Sequence, residues 1–142
     1  MADKDKKKPV SFRFDTRIVE RLRQRSVELG ASQGMLAERY IDEGIRGDDH
    51  PGIFFRDGGS GRRPALLGTR LDIAQVIETL RQNDDSLEET AEYLDLTASQ
   101  VEIAVRYYVE YQGEVDAWIK RGQAIAERER ELWIKREAAL TG

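Results

Sequence analysis

Five residues near the start, Val10-Ser11-Phe12-Arg13-Phe14, alternate apolar and polar, the period of a strand with one buried face. Val10, Phe12 and Phe14 take one side, and Ser11 and Arg13 take the other. From Asp15 the period changes to 3.6, and Ile18, Val19, Leu22, Ser26 and Leu29 share one helical face. Asp15 suits the N-cap of that helix, Gly30 its left-handed end, and Ser32 the N-cap of a second helix. In this second helix Leu36, Ala37, Tyr40, Ile41, Gly44 and Ile45 repeat the helical spacing. One short strand and two short helices cannot bury three apolar strand residues alone. A lone strand lacks a ladder partner, and even an isolated hairpin is marginal in water. A second copy, its strand antiparallel to the first, supplies the cover. A homodimer is therefore expected, with Val10, Phe12, Phe14, Leu22, Leu36 and Ile41 in the dimer core.

This strand–helix–helix order, over roughly residues 8–46, resembles the ribbon-helix-helix family of DNA-binding dimers of the CopG, Arc and MetJ type. The resemblance implies a two-stranded ribbon, one strand from each chain, entering the major groove of a palindromic operator. Ser11 and Arg13 would then read bases, an Arg fork matching the O6/N7 edge of guanine. The family usually carries a third outward polar residue two positions before Ser11; here that place is Pro9, which has no donor. Backbone N–H groups near Ser32, Gln33 and Gly34 would clamp phosphate, and Lys8, in the basic arm 1–8, would add a phosphate contact.

The net charge of −4 conceals an electrical division. Residues 1–25 carry nine basic against four acidic side chains, whereas 71–118 carry only Arg81 and Arg106 against twelve acids. Residues 47–70 and 119–142 are mildly basic, at +1 and +2. A polyanion is attracted to the first segment and repelled by the acidic one. The chain has no cysteine, and its single histidine, His50, is flanked by Asp48 and Asp49 without a recognisable nucleophile or metal cluster. An enzyme is not expected, nor any cofactor or metal. No apolar stretch approaches the roughly 18 residues of a membrane span, and no apolar run follows the basic arm as in a secretory signal. The expected compartment is the cytoplasm, with nucleoid association when DNA is bound.

Residues 47–70 are rich in turn formers, with short strands expected at 52–55 and 65–67 around an Asp57–Gly61 turn. That glycine cluster lacks the Lys-Ser/Thr ending and following helix of a phosphate loop, so a turn is the better reading. Helices return from Leu71. Ser86-Leu87-Glu88-Glu89 and Thr97-Ala98-Ser99-Gln100 have capping-box spacing and open two helices with the outline of a helix-turn-helix. The acids there (Glu88, Glu89, Glu92, Asp95, Glu102, Glu110, Glu114) argue against DNA contact and favour a protein-contact or dimerising role. The runs His50-Pro51-Gly52-Ile53, Gly68-Thr69-Arg70-Leu71, Ser86 to Ala91 and Ala104 to Tyr108 resemble a small bacterial domain found in VapB-like antitoxins encoded beside PIN-like ribonucleases. The resemblance covers about 50–118 and implies a hairpin followed by a homeodomain-like helical bundle. The Asp57–Arg63 loop is longer than that pattern.

At the end, apolar pairs recur every seven residues: Trp118-Ile119, Ile125-Ala126, Leu132-Trp133 and Ala139-Leu140. The intervening positions Gly122, Glu129 and Arg136 are not apolar, so a stable self-dimerising coiled coil is not expected. Ile125, Leu132 and Trp133 read instead as anchors for a toxin's groove. The expected architecture is mainly α with short strands: a disordered basic arm (1–8), a ribbon-helix-helix domain (9–47), a hairpin with helix-turn-helix-like helices (48–118) and a long amphipathic partner-binding helix (119–142). The function this implies is an antitoxin that represses its own operon and neutralises a PIN-like ribonuclease. The alternative is a stand-alone regulator whose acidic second domain builds oligomers.

Overall fold

The computed structural model describes residues 6–58 and 61–142. Among these the chain is mainly helical, with six helices and one antiparallel hairpin. It divides into two compact units, Met1–Asp42 and Glu43–Gly142.

In the first unit, α1 (Thr16–Leu29) opens on Asp15, whose carboxylate accepts from the Arg17 N–H at 2.8 Å. It ends on Gly30 at φ 62°, a left-handed turn that glycine adopts without strain. α2 (Gln33–Asp49) starts with the Ser32 hydroxyl accepting from the Met35 N–H at 3.1 Å. Residues 10–14, where the alternation predicts a strand, form no ladder within this chain. The reason is physical: the described residues of the unit contain no other extended segment to supply hydrogen-bond partners. Among the described residues of that unit only Leu36 is buried; Val10, Phe12 and Phe14 are 60%, 62% and 45% exposed.

The second unit begins inside α2, at Glu43, rather than at residue 48. Long-range pairs explain the shift: Glu43 takes two 2.7 Å bonds from Arg62, and Arg46 donates to Tyr107 and Glu114. β1 (Ile53–Gly58) and β2 (Gly61–Leu66) pair from Ile53↔Leu66 to Gly58↔Gly61. The expected wide Asp57–Arg63 loop is thus replaced by ladder, with Arg56 opposite Arg63 and Asp57 opposite Arg62. Gly59 and Ser60, part of the expected glycine turn, lie outside the described residues, as do residues 1–5 of the arm.

Gly68-Thr69-Arg70 turns the chain into the helices. The Thr69 hydroxyl donates to the Leu66 carbonyl at 2.8 Å and accepts from the Leu71 N–H at 3.0 Å, and Gly68 sits at φ 81°. α3 (Ile73–Gln82), α4 (Leu87–Leu94), α5 (Ala98–Glu110) and the first turns of α6 (Gln112–Thr141) close one core. Ile73, Val76, Ile77, Val101, Ala104, Tyr107 and Val115 are almost completely buried in it. Thr97 and Gln100 form the full reciprocal capping box, at 3.1 and 2.9 Å. No helix of the described residues is long and apolar enough to cross a membrane.

Candidate functional site

The stacked rings of Phe12 and Phe14, centroids 5.7 Å apart, place both side chains on one side of the chain, the i, i+2 relation of extended backbone. Ser11, Arg13 and Lys8 are exposed, and so are Gln33 and Gly34 in the first turn of α2. The N–H groups of Gln33 and Gly34 in that turn have no intrahelical acceptor, which is the chemistry an anion uses. Ser32 already spends its hydroxyl as the helix cap, so its contribution to a phosphate would come from the backbone. The basic side of α1 is partly neutralised by its own acids. Arg23 bonds Glu20 at 2.6 Å and Arg25 bonds Glu28 at 3.3 Å, while Arg17 stays largely in solvent.

Beside these charges lies an open groove of about 510 Å³ lined by Phe14, Ile18, Leu22, Ala37, Tyr40 and Ile41, with Arg21 and Arg25 at its edge. Of the six expected dimer-core residues, Leu36 is buried within the single chain, Leu22 is half-buried, and Val10, Phe12, Phe14 and Ile41 remain exposed. Exposed apolar patches of this kind are found at interaction sites.

No protein-family model, curated protein or solved structure matches this chain. The two resemblances read from the sequence therefore rest on residues and their placement alone.

In the second unit the charged side chains that sequence reading passed over are held in pairs. Asp72, 6% exposed, receives Arg56 at 2.9 and 2.5 Å and has Arg63 Nε at 2.9 Å. That last contact is an ion pair without hydrogen-bond alignment, since Arg63 Nε has no hydrogen-bond partner. Arg46 lies over the Tyr111 ring at 4.1 Å and bonds the Tyr107 hydroxyl at 2.8 Å and Glu114 at 2.7 Å. Burial pushes against its charge, but the bonds to Glu114 and Tyr107 win and raise its pKa. Burial likewise pushes the Tyr107 hydroxyl up to about 12. His50 contacts Glu110 at 2.6 Å and meets Tyr107 and Tyr111 edge-on, a well-satisfied packing position. Pairs separated by 9 to 68 residues leave no local period in a sequence, and only the strand register and helix packing bring them together.

The helix-turn-helix outline corresponds to α4 and α5, joined through Asp95 in the left-handed conformation. Its surface is acidic: Glu88, Glu89, Glu92, Asp95, Glu102 and Glu110 are all exposed. Burial along α6 stops at Ile119, and every residue from Lys120 onward is exposed. Ile125, Leu132 and Trp133 are 40%, 57% and 58% exposed. The exposed part of α6 continues a helix whose first turns are anchored in the core by Val115 and Ile119.

Proposed function

We propose that the chain is a DNA-binding antitoxin of the ribbon-helix-helix type. It works as a homodimer that represses its own operon and neutralises a PIN-like ribonuclease. The observation that carries the reading is the bare apolar side of Val10, Phe12 and Phe14 set against exposed Ser11 and Arg13. Two copies pairing these segments antiparallel bury the phenylalanines and turn both arginines outward, into the major groove. The first turn of each α2 and Lys8 take phosphates on either side. The acidic second unit stays off the DNA. The stripe on α6, through Ile125, Leu132 and Trp133, is where the ribonuclease docks. The alternative, a regulator without a toxin, keeps the same DNA surface and uses the second unit only for assembly.

Arg13→Ala tests the reading. A bidentate Arg–guanine contact is worth about 1–3 kcal/mol and a two-fold dimer loses it twice, so operator preference should vanish with the dimer intact. Gel shifts on the gene's own upstream DNA, at one fixed salt concentration, decide it. Unchanged affinity and specificity would remove Arg13 from the base-reading role.

A further inference from the structure

The exposed stripe of α6 is not uniformly apolar, and its charges say what covers it. At 100° per residue, Ile125, Leu132, Trp133 and Leu140 flank a line whose centre is occupied by Glu129 and Arg136. All six are exposed. A parallel pair of these helices sets Glu129 against Glu129 and Arg136 against Arg136, which is repulsive. An arbitrary apolar groove strips water from both charges without compensation. An antiparallel pair centred between Leu132 and Trp133 behaves differently. Glu129 then faces Arg136 of the second copy, twice, while Ile125 faces Leu140 and Leu132 faces Trp133. Sliding the centre by two residues destroys the match, placing Arg136 on Ile125 and Glu129 on Leu132. The stripe is self-complementary in one orientation and one register.

Glu129 and Arg136 rule out the apolar seam of an ordinary coiled coil, but they pair across this one register, and we propose that residues 125–140 of α6 dock antiparallel on the same segment of a second copy of this chain. The inference goes beyond the function proposed above and needs neither DNA nor a ribonuclease. A toxin seated on Leu132 and Trp133 has to displace the second copy, which couples the protein's assembly to its partner.

The absence of native cysteine makes the test direct. Leu132→Cys in the full chain lies next to the two-fold axis, so the two sulfurs meet and an oxidant cross-links them. Ile125→Cys lies about 22 Å from its counterpart along the axis and stays monomeric on a non-reducing gel. A parallel pair would cross-link both variants. In the Leu132→Cys background, Glu129→Arg or Arg136→Glu should each cut the cross-linked fraction about tenfold, two ion pairs becoming two repulsions. Combining the two swaps should restore it. Circular dichroism should be unaltered throughout, because every substituted position is exposed. Equal cross-linking at 125 and 132, no cross-linking at 132, or a double swap that fails to recover would overturn the proposal. DNA is absent from the assay, so its outcome is independent of the base-reading test.

Discussion

Asp72 is the joint between the hairpin and the helices, and its removal should be the most damaging single polar change in the second unit. Its side chain is 8% exposed and holds Arg56 from β1 and Arg63 from β2 at 2.5–2.9 Å, while its backbone N–H donates to Gln75 Oε1 at 2.8 Å. Asp72→Asn keeps the shape and one acceptor oxygen, but leaves two guanidinium groups facing a neutral amide. Breaking a buried pair costs about 3–5 kcal/mol. Here the arginine side chains are 30% and 29% exposed and can turn toward water, which favours the lower end, about 3 kcal/mol. A domain of this size loses about 4–8 °C of Tm per kcal/mol, so the second unit should melt at least about 12 °C earlier. Trp118, half-buried beneath the Arg121 guanidinium at 4.6 Å, reports that unit by fluorescence. Glu20→Gln, which breaks an exposed pair in α1, is the control and should leave this transition in place. A midpoint for Asp72→Asn within 2 °C of wild type would show that the two arginines are satisfied without the carboxylate.

Phe12→Asp should prevent assembly of the first unit, since a charge cannot enter the apolar interface; sedimentation of the full chain carrying Glu129→Arg, which removes pairing through α6, measures it, and an unchanged mass in that background would contradict the ribbon dimer. Tyr107 governs an alkaline limb. Its hydroxyl titrates near 12 when folded against about 10 when unfolded, so its contribution is complete below pH 10 and is lost as pH climbs through 12. Tyr107→Phe should therefore show a shallower fall in stability across pH 10–12 than wild type, read from urea midpoints; parallel curves would mean that the group does not titrate in that window. Trp133→Ala should weaken inhibition of a cognate ribonuclease by about 2 kcal/mol or more, with DNA affinity unchanged. An unaltered inhibition curve would move the docking site away from α6.

Local chemistry made much of this chain legible before any packing was known. The Asp15 and Ser32 caps, the Gly30 terminator and the Thr97–Gln100 box each act across two to four residues, and each is present where its spacing predicts. The alternation through Phe14 predicted a strand, yet residues 10–14 form no ladder, because a strand needs a second extended segment beside it and the described residues of that unit hold none. Packing decided the rest. The hairpin extends to Gly58 and Gly61 because Arg62 and Arg63 find Glu43 and Asp72, and the second unit reaches back into α2 because Glu43 and Arg46 have partners 19 to 68 residues away. His50, marked by sequence only as solitary, sits against Tyr107, Tyr111 and Glu110. Interactions within one helical turn are written in residue order, whereas these pairs exist only once separate elements have been brought to a few ångströms of each other.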